Sequence, residues 1–156
     1  MWIFFVSPLT FNLVFCYTLT ISLNVLVKGG YTMIDFTNND FIKLREVDID
    51  SVSKHIDQLL IAGEEIIASY KAIRDYCVFT NKRVIAVNVQ GVTGKSKDFT
   101  SLPYSKINTF SVETSGVIDL DSELELYFSG LGKVHFEFTN SKSIMKIAQI
   151  ISQHLL

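Results

Sequence analysis

The sequence predicts a mainly β domain with capping helices (α+β). It is a small barrel of seven antiparallel strands, closed by a C-terminal amphipathic helix and preceded by a short N-terminal one. Three observations carry this. Residues 74–128 alternate apolar and polar side chains between turn residues, with no helical period. Two-residue punctuation at Asn81-Lys82 sits between two apolar runs. A stripe of Ile144, Ile147, Ala148, Ile151 and Leu155 at helical spacing ends the chain.

The chain has 156 residues, enough for one domain with a real core. A net charge of −2 gives none of the basic excess of nucleic-acid binders, so no nucleic-acid partner is expected. Cys16 and Cys77 stand in unrelated contexts and form neither a disulfide framework nor a metal spacing, which fits a reducing compartment.

Residues 1–27 carry no charge, and the first basic residue is Lys28. The length is sufficient for a membrane span, but Pro8, Asn12 and Asn24 interrupt it. A secretory signal would need a positive start and a small-residue cleavage site, and both are missing. The remaining reading is translated upstream DNA. Lys28-Gly29-Gly30 can be written AAA-GGA-GGT, which contains a purine-rich ribosome-recognition sequence, and Tyr31-Thr32 provide a gap before Met33. The expectation is therefore a start at Met33 and a cytoplasmic product, with residues 1–32 as a hydrophobic extension, uncharged as far as Val27, and 33–156 as the domain. Membrane anchoring follows only if residues 1–27 are translated.

Residues 35–47 are weakly patterned and suit a short helix or an arm. Asp48 to Leu60 reads as a helix, with Ile49, Val52, Ile56, Leu59 and Leu60 at helical spacing, Asp50 or Ser51 as cap, and Gly63 ending it. Strand residues follow from Glu64, with Ile66, Ala68, Tyr70 and Ala72 on one side. The Asn81-Lys82 turn then pairs Phe79 with Val84, Val78 with Ile85, Cys77 with Ala86 and Tyr76 with Val87. Both faces of this hairpin are apolar, so a helix or a neighbouring subunit must cover the outer one.

Gly94-Lys95-Ser96 invites a phosphate-loop reading. Val89 occupies the position where that motif needs glycine, and strand-like residues 98–102 follow where it needs a helix. A glycine turn between strands is the better account. Pro103 marks an edge or bend. Ile107 to Thr114 is the next strand, with Phe110 and Val112 inward. Leu124, Leu126 and Phe128 alternate with Glu123, Glu125 and Tyr127, and Val134, Phe136 and Phe138 alternate with His135, Glu137 and Thr139. Pairing Phe128 with Val134 leaves residues 129–133 as loop and sets Glu125 opposite Glu137. The closing helix starts near Ser141, capped by Asn140 or Ser141.

More specific than this order are the words Gly63-Glu64-Glu65, Tyr70-Lys71, Arg74-Asp75, Phe79-Thr80-Asn81-Lys82-Arg83, Gln90-Gly91-Val92-Thr93-Gly94-Lys95, Pro103-Tyr104, Phe110-Ser111-Val112-Glu113-Thr114 and Asp119-Leu120-Asp121-Ser122-Glu123-Leu124. Together they resemble the bacterial pleckstrin-homology (PH) domain family over about residues 33–156. The resemblance implies a PH- or GRAM-like fold and ring-like oligomers, with no agreed ligand or activity. Phosphoinositide-binding PH domains carry a basic signature in the first inter-strand loop. Here that loop is Arg74-Asp75, so specific phosphoinositide binding is not expected.

His55, His135 and His154 have no neighbours that suggest a triad, and no His or Cys pair has ligand spacing. No catalytic residue, metal or cofactor is therefore expected, and the chain reads as a non-enzymatic binding and assembly module. Two charged sets stand out. Lys82, Arg83, Lys95 and Lys97 are candidates for anionic headgroups. Asp119, Asp121, Glu123, Glu125 and Glu137 are candidates for a neighbouring subunit's Lys or Arg, or a cation. The expected partners are further copies of the chain and another protein. A peripheral membrane adaptor using the basic loops is the alternative.

Overall fold

The computed structural model describes residues 41–156 apart from 91–93 and 115–120. All of them belong to one compact unit, Met33–Leu156. The expectations for residues 1–32, and for Asp119, lie outside the described residues.

The strands are β1 Leu44–Val47, β2 Ile66–Lys71, β3 Tyr76–Thr80, β4 Arg83–Gln90, β5 Ser96–Pro103, β6 Ile107–Thr114, β7 Ser122–Phe128 and β8 Gly132–Thr139. The helices are α1 Asp50–Ile56, extended by a 3-10 turn Asp57–Leu59, and α2 Ile144–Leu155. One sheet holds all eight strands in the order β5-β4-β3-β2-β1-β8-β7-β6. The expected closed seven-strand barrel is therefore corrected in two ways. The seven strands β2 to β8 are joined by β1, which pairs antiparallel with β2 and parallel with β8. The sheet is also not closed, because β5 and β6 do not pair. A 3-10 turn, Tyr104–Lys106, carries the chain from one to the other.

The β3–β4 hairpin has the register read from its turn, from Tyr76 opposite Val87 to Phe79 opposite Val84. Its inner residues Cys77, Phe79, Val84 and Ala86 join the main core, with Tyr70, Phe136, Phe138 and the α2 stripe of Ile144, Ile147 and Ile151. Its outer residues Tyr76, Val78, Ile85 and Val87 form a second core with Val52 and Ile56 of α1. The chain's own helix, not a neighbour, thus covers the outer face. A register shift between Ile66 and Ala68 places Ala68 in the inner core and Ile66 against the outer one.

The β7–β8 register is two residues tighter than expected, with Phe128 opposite Gly132 and Leu126 opposite Val134. Gly130 and Gly132 adopt φ values of +84° and +89°, which only glycine takes cheaply, so the chain reverses within a shorter loop. A two-residue slip keeps every side chain on its face but changes its partner.

Helix caps also differ from expectation. Ile49 stands at the N-cap of α1, and Ser51 Oγ donates back to Asp48 O at 2.6 Å. Ser143, not Asn140 or Ser141, precedes α2. Glu46 of β1 accepts from Ser143 Oγ at 2.6 Å and from Lys142 N at 3.2 Å, so a strand carboxylate serves the helix N-terminus.

Candidate functional site

The four basic candidates do not form one surface. Lys82 and Arg83 lie at the β3–β4 turn. Lys97 pairs with Val89 near the far end of β4. Six residues of strand place Arg83 and Val89 about 20 Å apart.

Arg83 is committed to the fold. Its Nε donates to Glu64 Oε1 at 2.8 Å and its Nη2 to Glu64 Oε2 at 2.9 Å, a two-point ion pair. Its remaining donors reach Leu59 O at 2.6 Å and Ser101 Oγ at 2.8 Å. The Glu64 side chain is fully buried. Thr80 Oγ1 donates to it at 2.9 Å and the Ile61 amide at 3.1 Å. Burial works to raise the Glu64 pKa, but these hydrogen bonds, Arg83's first, hold it below its ordinary value. Of this pair only Lys82 is exposed.

Lys95 and Lys97 are brought together instead with Lys54, His55 and Gln58 of the first helical segment. With Leu59 and Phe99 they line a cleft of about 400 Å³. The three helical residues were not among the sequence candidates. The signal available for them was the one-turn spacing of Lys54 and Gln58 on the polar side of the helix.

The acidic candidates divide as well. Glu125 faces His135, not Glu137. Its carboxylate accepts from Lys133 Nζ at 2.7 Å and lies 3.5 Å from His135 Nδ1. The hydrogen bond from Lys133 holds the Glu125 carboxyl below its usual range. Glu123 takes the place opposite Glu137, and on its other side it faces Glu113. Three glutamates therefore stand abreast on β6, β7 and β8. The His135 ring, whose Nε2 lies 4.0 Å from Glu123, is the one basic side chain placed against them among the described ion pairs. With Asp121 and Ser122 the three glutamates line a cleft of about 190 Å³. Asp121 Oδ1 accepts from the Asn140 amide at 3.2 Å, which fixes that residue at φ +57°.

Cys77 is fully buried, and burial pushes its thiol pKa up, away from reactivity. Among the described residues no cluster of His, Cys, Asp or Glu is arranged to hold a metal ion. None of the described helices is long and apolar enough to cross a membrane.

Residues 35–155 match the family model for the bacterial PH domain. The chain is 43% identical over 104 residues to the Bacillus subtilis protein YjqA, covering 65% of this chain and 83% of that one. It is 30% identical to YozO of the same organism over 103 residues, covering 66% and 89%. Among solved structures it resembles a DUF1696 family protein with a pleckstrin-homology domain from Shewanella loihica. That match has a TM-score of 0.57 at 36% identity and covers 74% of this chain and 99% of that one. It also resembles a pleckstrin homology domain from Shewanella amazonensis, with a TM-score of 0.51 at 32% identity, covering 86% and 98%.

Proposed function

Because the chain belongs to the bacterial PH domain family, we propose that it is a non-enzymatic binding and assembly module that works as a ring-like homo-oligomer. The observation that supports this is the opening in the sheet. Strands β5 and β6, each eight residues long, are unlike edges of one sheet, and neither has a second partner strand among the described residues. Unpaired edges offer backbone donors and acceptors to another chain. Two different edges favour head-to-tail contact, which closes into rings when the rotation per subunit allows.

The acidic row lies beside the β6 edge, with Glu113 on the edge strand itself. In this reading Glu113, Glu123, Glu137 and Asp121 receive Lys or Arg side chains of the next copy. Glu125 has its own cation in Lys133 and is not needed there. Light scattering on the purified chain tests the proposal. A mass several times that of one chain at micromolar protein is expected, and a monomer mass overturns it.

A further inference from the structure

We infer that the cleft between α1 and the start of β5 is a binding site for a small anion that carries an apolar group. The site is a product of how far the helix reaches. Tyr76, Val87 and Phe99 form one row across β3, β4 and β5. Tyr76 and Val87 are buried in the outer core, whereas Phe99, on the edge strand, is 37% exposed. Leu59, at the end of the 3-10 turn, is 38% exposed. These two side chains supply an apolar wall that the described fold leaves partly exposed.

The rest of the lining is three lysines, an imidazole and an amide. Lys97 precedes Phe99 by two residues, and its Nζ stands 5.9 Å from the centre of the Tyr76 ring. The Tyr76 hydroxyl is itself buried and has no hydrogen-bond partner. Lys54 and His55 line the cleft from the helix, Lys95 lines it ahead of β5, and Gln58 adds an amide. None of Lys54, Lys95 or Lys97 takes part in an ion pair among the described residues. A concave surface with one sign of charge concentrates its potential on what enters it. A volume of about 400 Å³ is in the range of small-molecule sites. Three ammonium groups select an anion, and Leu59 with Phe99 select against a bare one. The matching chemistry is a phosphate or carboxylate on a short hydrocarbon or ring. Its source is either a free amphiphile or a membrane lipid. This site is separate from the acidic row and does not depend on assembly.

The test is a titration of the ¹⁵N-labelled full chain, followed by NMR. The probes are dihexanoyl phosphatidate below its aggregation concentration, inorganic phosphate and dihexanoyl phosphatidylcholine. The expected result is saturable shifts at Lys54, His55, Gln58 and Phe99 with the phosphatidate, binding at least about tenfold weaker for phosphate, and none for the zwitterion. Lys54→Ala with Lys97→Ala should weaken the phosphatidate at least about tenfold. Phe99→Ser should weaken it while leaving phosphate unchanged, and Lys82→Ala should change neither. All these side chains are exposed or half-exposed, and a well-dispersed spectrum verifies each fold. A parallel sedimentation with phosphatidate-containing vesicles separates the sources. Binding to both forms, lost in the double variant, makes the lipid a source of the ligand. Binding to the soluble form alone makes the ligand a free amphiphile. Absence of saturable binding, equal affinity for phosphate, or affinity unaffected by the double variant overturns the inference. Vesicle binding without binding of the soluble probe overturns it too.

Discussion

At the scale of single residues, the word Gly63-Glu64-Glu65 and the word Thr80-Asn81-Lys82-Arg83 are one piece of chemistry. Asn81 Nδ2 donates to Gly63 O at 3.0 Å, and the Glu65 amide donates to Asn81 Oδ1 at 3.1 Å. Arg83 closes on the buried Glu64 beside them. A sequence reading sees Arg83 as a loop cation because its partner is 19 positions away. Removing one member of a buried pair strands the other, so Glu64→Gln should lower stability by about 3 kcal/mol near neutral pH. The pH dependence has a definite sign. The folded-state pKa of Glu64 is depressed, so its contribution is present above the unfolded value of about 4.3 and is lost as pH falls through the folded value. Denaturant titrations from pH 7 downward should show the wild type losing part of its advantage over Glu64→Gln in that acid window. A gap between the two proteins that stays constant into strong acid would exclude this role.

At the scale of elements, α1 is a lid on the outer face of the central hairpin. The two-sided apolar pattern of Tyr76 to Val87 showed that a cover was needed, and the spacing of Val52 and Ile56 showed a helix able to provide it. What the sequence did not reveal was that the one meets the other, because both need covering and a neighbouring subunit satisfies the pattern equally well. Ile56 is fully buried at this contact. Ile56→Ala should therefore destabilise the fold by about 2–4 kcal/mol, while Ile61→Ala, at a position 60% exposed, should stay within about 0.5 kcal/mol. Chemical denaturation of both variants checks this, and similar values for the two would detach α1 from the core. Strand β1 was illegible for a different reason. It has only four residues, Leu-Arg-Glu-Val, and follows Lys43 at φ +54°. Its identity as a strand comes from its partners on both sides, which no local pattern records. The β7–β8 register was half legible, since alternation fixes the face but the positive-φ glycines fix the partner.

At the scale of the whole molecule, the open sheet and the row of glutamates bear on the same question. The neighbour order of β2 to β5 and of β6 to β8, and the closing helix, were readable from alternation and the α2 stripe, whereas the place of β1 between β2 and β8 was not. The opening between β5 and β6 was not, because pattern gives strand faces and not closure. Nor was the row, because Glu113, Glu123 and Glu137 meet only after the two-residue correction in register. Like charges directly opposed weaken a sheet, by up to about 1 kcal/mol per pair. Two consequences follow from Glu123→Gln, which removes the central charge from two such pairs. If the row only faces solvent, the variant gains stability and its mass in solution is unchanged. If the row receives cationic side chains from the next copy, the variant loses its strongest anionic position and the assembly weakens. The second outcome is expected, with the mass from light scattering falling toward that of one chain. Raised salt should produce the same fall in the wild type, because exposed charges are screened beyond about 10 Å at 0.1 M. A variant that is more heat-stable at undiminished mass would remove the acidic row from the interface and leave the backbone edges of β5 and β6 to hold any ring together.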